Sequence, residues 1–138
     1  MAQPKSAIQG VVPLEDEEQA TFVQWLELVG LRFSSVPNAT WTTSWKQKSK
    51  NHYTGLRAGF PDLIILVPPH RARDGVGHML CIEMKRRQGG TVSVVQKEWI
   101  AALNGLDSAN VEAVVAKGAT EAINYVNTIL KPSPISPF

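Results

Sequence analysis

Cysteine is nearly absent: Cys81 is the one cysteine among 138 residues. That excludes an internal disulfide framework and any zinc site built on several thiolates. Cys81 lies in an apolar stretch, where a packed thiol is expected rather than a reactive one. Long apolar runs are missing too. None approaches the roughly 20 residues of a membrane-spanning helix. The opening MAQPKSAIQG lacks the apolar core of a secretory signal. These absences lead to the expectation of a cytoplasmic protein with no membrane partner. A further absence is local. No acidic residue stands between Glu27 and Asp62, a stretch that holds Arg32, Lys46, Lys48, Lys50 and Arg57. Trp41, Trp45, His52 and Tyr53 are interleaved with them. Basic and aromatic groups without acidic neighbours suit a polyanion such as nucleic acid. A solvated basic loop explains the same charges.

What is present is ordinary in bulk. The chain is 43% hydrophobic and 19% charged, with a net charge of +2. That is enough for one domain with a real core. Residues 1–14 read as an irregular arm, 15–130 as the domain, and the Pro/Ser-rich 131–138 as a disordered tail. The stretch EDEEQATFVQWLELVG predicts an amphipathic helix over 15–29, ended by Gly30. Its acidic first turn suits the helix dipole. LRFSSV predicts a short strand, and PNATWTTSWKQKSKNHYTG a long polar loop. DLIILV (62–67) and HMLCIEMK (78–85) predict two strands, antiparallel because the connection between them is short. SVVQKEWIAALNG predicts a helix, with Ser93 and Gln96 at capping-box spacing. VEAVVA (111–116) and ATEAINYVNTIL (119–130) predict a last strand and helix. The fold class is α/β, with helices on both faces of a small mixed sheet.

The charges within these strands carry the chemistry. Residues two apart in a strand share a face, so Glu83 and Lys85 project together. Antiparallel pairing brings Asp62, at the head of one strand, beside the end of the other. Two carboxylates converging on one point repel each other, and a hard divalent cation such as Mg²⁺ or Mn²⁺ relieves that. Lys85 can orient or deprotonate a water, or stabilise a pentacovalent phosphate. These are the parts of metal-dependent phosphodiester hydrolysis. The bare pattern P-D…E-x-K also occurs as a cross-strand charge pair. Here the flanking residues are almost wholly apolar, and an unpaired buried charge is costly.

GLRAGFPDLIILVP, HMLCIEMKRRQGGTVSVVQKEWIAALNG and VEAVVAKGATEAINYV together resemble the VRR-NUC (virus-type replication–repair nuclease) domain. That family belongs to the PD-(D/E)XK nucleases, and the resemblance spans about residues 15–130. It implies a restriction-endonuclease-like fold and a divalent-metal nuclease using Mg²⁺ or Mn²⁺. Asp62 and Glu83 match the metal-binding carboxylates, with the Met84 carbonyl as a further ligand. Lys85 matches the catalytic lysine and Gln96 the glutamine of the following helix, although capping also accounts for Gln96. The family also draws a glutamate from its first helix. At roughly 100° per residue from Phe22, Glu15 falls near +20° and Glu18 near −40°. Both are candidates, and Glu18 is slightly favoured because it lies deeper in the helix. Arg57, Lys46, Lys48, Lys50, Arg86 and Arg87 are the expected phosphate contacts. Trp41 and Trp45 can stack on bases, with packing of the loop the preferred reading. Small members of the family are similar to Holliday-junction resolvases. The expected partner is therefore branched DNA, the expected assembly a homodimer, and the expected setting phage or prophage replication, recombination or packaging. A catalytically silent nucleic-acid-binding module of the same fold is the alternative.

Overall fold

Alternation along two apolar strands sets the architecture. In the computed structural model, which describes residues 12–37, 44–108 and 110–132, Leu63–Val67 (β2) is buried at every second residue. Leu63, Ile65 and Val67 point one way. They join Leu80, Ile82 and Met84 of the next strand, His78–Lys85 (β3), in the core. A helix, Glu15–Val29 (α1), lays Phe22 and Leu26 on this face, both fully buried. The last helix, Ala119–Ile129 (α4), adds Ala122 and Val126 beside it. Burying such a Leu, Ile or Phe is worth about 1.5–3 kcal/mol each, so this face supplies most of the driving force.

The remaining strands complete a mixed four-stranded sheet in the order β1-β2-β3-β4. Arg32–Ser35 (β1) pairs antiparallel with β2, and β2 antiparallel with β3. Val111–Lys117 (β4) runs parallel to β3, as the intervening helix Val94–Asn104 (α3) allows. Ser93 caps α3 through its hydroxyl, which accepts the Gln96 N–H at 3.1 Å. Asn104, at the other end of α3, bonds both the N–H and the C=O of Ala113, at 2.9 Å each. One side chain thereby occupies hydrogen-bonding positions on the exposed edge strand β4.

The α/β class and the antiparallel hairpin follow the sequence reading, and strand β3 has the expected bounds. One element differs. Within the stretch expected to be a polar loop, Trp45–Tyr53 forms a helix (α2). Ser44 caps it by accepting the Gln47 N–H at 3.1 Å, and Gln47 bonds Asn51 one turn on at 2.6 Å. Its polar composition hid the helix because none of its residues is buried. A helix without an apolar stripe gives no periodic signal. The connection after β2 also holds a short 3-10 turn at Pro69–Arg71. Most of the expected arm, Trp41 and most of the Pro/Ser tail lie outside the described residues. No helix among the described residues is long and apolar enough to cross a membrane.

Candidate metal centre

The β2–β3 register pairs Leu63 with Ile82, so Asp62 stands opposite Glu83 at one end of the sheet. Cross-strand partners share a face, and by alternation this is the face opposite Leu63, Ile82 and Met84, reached at the end of the sheet by the first turn of α1. Glu83 is 1% exposed and Lys85 7%. Asp62 and Glu15 are half-buried. One carboxylate oxygen each from Glu15, Asp62 and Glu83 lies within 4.8 Å of the others.

Each member is held from a different element. Asp62 Oδ2 accepts the Met84 N–H at 2.7 Å, which fixes the head of β2 to the end of β3. Gln96 Nε2 donates to Glu83 Oε2 at 2.9 Å. The Gln96 carbonyl accepts the Ser93 N–H, also at 2.9 Å. One side-chain amide therefore both caps α3 and bonds Glu83. Lys85 Nζ lies 3.6 Å from the same Glu83 oxygen. Gly59 brings the Pro61–Asp62 segment against α3. It has φ +93°, and a Cβ there would meet Val95 Cγ1 at 2.6 Å. Glycine satisfies both the left-handed backbone and the close approach.

The electrostatics are those of an uncompensated acidic cluster. Burial, then the Asp62 charge beside it, pushes the Glu83 carboxyl up to about 8. Lys85 works against this without reversing it. Burial also raises Glu15; Lys85 lowers it, and Asp62 raises it further. Glu83 Oε1 is buried and has no hydrogen-bond partner. A buried, unpaired carboxylate oxygen beside two other carboxylates fits a hard divalent cation, which takes oxygen ligands and removes their mutual repulsion.

Among the first-helix candidates the cluster contains Glu15 and not Glu18. Glu18 is buried against a different partner set. Its Oε2 accepts from Arg87 Nε at 2.9 Å, and its Oε1 from the Ala119 N–H at 3.0 Å. It thus caps the N-terminus of α4 and ties α1 to the segment after β3. Gly118 leaves room for this pair: φ is +91°, and a Cβ would stand 2.5 Å from Arg87 Cγ. Arg87, expected as a phosphate contact, makes this bridge through Nε, and its side chain is 54% exposed. Nothing in the sequence marks Arg87 as the partner of Glu18, which lies 69 residues away.

Lys46, Lys48 and Lys50 are exposed on α2. Arg57 is exposed and donates to the carbonyls of His52 and Leu56, at 2.9 and 3.1 Å. Arg86 follows Lys85 directly, and its Nε is buried without a hydrogen-bond partner. Trp45, expected to pack, is 80% exposed. Two clefts of about 700 and 670 Å³ share His70 and Arg71 and contain none of the three carboxylates. Arg71 and Arg73 there bond the carbonyls of Val29 and Asn127, near the ends of α1 and α4. These arginines complement helix C-termini.

The family model for the VRR-NUC domain matches residues 3–120 of this chain. A solved structure titled "VRR_NUC domain protein" is similar at 26% identity, over 88% of this chain and 89% of its own, with a TM-score of 0.64. No curated protein matches the chain.

Proposed function

Since this chain belongs to the VRR-NUC domain family, a family of nucleases, we propose that it is a divalent-metal-dependent DNA endonuclease. The observation that carries the reading is the convergence of Glu15, Asp62 and Glu83 within 4.8 Å, with Lys85 Nζ 3.6 Å from Glu83. Glu15, Asp62 and Glu83 hold the ion, with the Met84 carbonyl as a further oxygen donor. A bound Mg²⁺ or Mn²⁺ supplies Lewis acidity toward a phosphodiester oxygen and makes a nearby water more acidic.

The protein's own groups do the rest. The Met84 N–H and the Gln96 amide hold Asp62 and Glu83 in fixed orientations, so little reorganisation is needed at the moment of reaction. Lys85 Nζ orients the attacking water and offsets the negative charge that grows on the phosphate. Burial of Glu83 and Lys85 among the apolar strands strengthens their electrostatic interactions. Arg57, Arg86 and the α2 lysines contact the phosphate backbone. Branched DNA is the substrate class proposed, acted on by a homodimer. A two-fold dimer presents two sites to the matching strands of a four-way junction. A role in phage or prophage DNA metabolism fits that substrate.

The test is a cleavage panel: four-way junction, flap, nicked, single-stranded and duplex DNA, each with Mg²⁺, Mn²⁺ and a chelator. Metal-dependent cutting that is stronger on the branched substrates, junction or flap, than on linear duplex supports the reading. Absence of cutting on every DNA with either metal overturns it, leaving a binding module of the same fold.

A further inference from the structure

The α2 helix buries none of its own residues. Trp45 is 80% exposed and Tyr53 90%. Two large aromatic side chains on a nine-residue helix with no buried residue do nothing for the core. Trp45, Lys48, Ser49, His52 and Tyr53 follow the i, i+3, i+4, i+7, i+8 spacing of one helix face. They line a shallow groove of about 440 Å³. Lys48 Nζ lies 5.9 Å from the Trp45 ring centroid, so a cation already sits over part of the aromatic surface. Lys46 and Lys50 flank the face, and no acidic residue stands anywhere from 28 to 61. An apolar partner protein gains nothing from this charge. A polyanion with flat aromatic groups complements both features.

We infer that this face of α2 is a stacking platform for the bases of an unpaired DNA strand. The inference deepens the nuclease reading and rests on it for the identity of the nucleic acid. Stacking on an aromatic ring requires an exposed base face, which paired bases inside a duplex do not offer. Trp45 and Tyr53 are eight residues apart on the helix, about 12 Å along its axis. That exceeds the roughly 3.4 Å rise between neighbouring bases along one strand. The two rings therefore engage bases separated along the strand, with Lys48 and His52 between them on the intervening backbone. The substrate is accordingly branched DNA in which a single-stranded segment of several nucleotides adjoins a duplex arm. The duplex part is cut at the metal centre, and the unpaired part is held by α2.

The experiment measures binding in a chelator, so that it does not depend on cleavage. Anisotropy of a labelled duplex carrying a single-stranded oligothymidine tail is compared with that of the blunt duplex. The ratio of the two affinities is recorded for the wild type, Trp45→Ala, Tyr53→Ala and Trp45→Phe. Alanine is the best helix former, so the Ala variants do not weaken α2 itself. The wild type is expected to prefer the tailed DNA. Each Ala variant should lose at least about five-fold of that preference, and Trp45→Phe should retain most of it. Equal affinity of the wild type for both DNAs overturns the proposal. So does an unchanged preference in the Ala variants, or a Trp45→Phe loss as large as that of Trp45→Ala. Sedimentation of the same proteins tests the rival occupant. If Trp45→Ala dissociates a dimer while the tailed-DNA preference stays intact, the face belongs to a second copy of the chain and the proposal fails. A tail preference without any nuclease activity leaves the platform standing and removes the catalytic reading alone.

Discussion

Glu15, Asp16, Glu17 and Glu18 open α1 side by side and have different surroundings. Glu17 accepts the Leu14 N–H at 2.8 Å and closes the helix start. Asp16 is exposed. Glu15 meets Asp62 and Glu83, and Glu18 meets Arg87 and α4. Opposite effects of two neighbouring substitutions follow. Glu18→Ala leaves Arg87 and the Ala119 N–H without their acceptor and should cost about 1.5–3 kcal/mol of stability. Urea unfolding measures that cost. Glu15→Gln relieves repulsion in the metal-free cluster, so it should leave stability equal or higher while weakening metal binding. A Glu15→Gln protein that unfolds at lower urea than Glu18→Ala contradicts the assignment. Glu83 gives a pH signature. Its folded pKa, pushed up to about 8, lies above the ordinary glutamate value of 4.5. The native state therefore holds a proton that the unfolded chain releases between those values. The associated stability is complete below about pH 4.5 and is lost as pH rises through about 8. In a chelator the protein should lose stability across that window, and Glu83→Gln should flatten the loss. Metal added near pH 7 should release a proton, because the ligand must ionise to bind. Calorimetry in buffers of different ionisation enthalpy detects it.

At the scale of elements, the hairpin is legible in the sequence and the helices around it only partly. Strict alternation fixes which of Glu83, Met84 and Lys85 faces the site, because a strand has a period of two and no slack. Helical angles fix less. Glu15 and Glu18 both fall within about 40° of Phe22, which leaves depth along the helix to choose between them. The acidic cluster lies beside the first turn of α1, and Glu18, one turn further in, meets Arg87 and the start of α4. Helix α2 escapes for the opposite reason: none of its residues is buried, so no apolar repeat marks it. A close joint between elements is Gly59 against Val95 of α3. Gly59→Ala should shift either the Asp62 segment or the start of α3, and with it the Gln96–Glu83 bond. Its expected effect is a cleavage rate lowered at least about ten-fold, with a loss of thermal stability. Gln96→Ala should show a similar fall with weakened metal binding, since the loss of such supporting groups costs about 10–100-fold. A Gly59→Ala enzyme with wild-type rates would show that this joint does not position the site.

For the whole molecule, charge is distributed by function rather than in bulk. A net charge of +2 says little, whereas the stretch from 28 to 61 carries Arg32, Lys46, Lys48, Lys50 and Arg57 with no acidic residue. On the proposed function this stretch would draw in phosphates. Affinity for DNA should fall linearly on a log–log plot as salt rises. Replacing Lys46, Lys48 or Lys50 by Ala should reduce the slope by about 0.9 for each phosphate that is no longer neutralised. A slope unchanged in the triple variant would remove α2 from the interface. The measurement closest to the central claim is the metal dependence of DNA cleavage in three proteins: wild type, Glu15→Gln and Glu18→Gln, each confirmed folded. The account predicts that Glu15→Gln needs far more Mn²⁺ than the wild type to reach half-maximal rate and cuts more slowly at saturation. It predicts that Glu18→Gln keeps the wild-type metal requirement. A Glu18→Gln protein with the raised metal requirement, or a Glu15→Gln protein without it, would contradict the account.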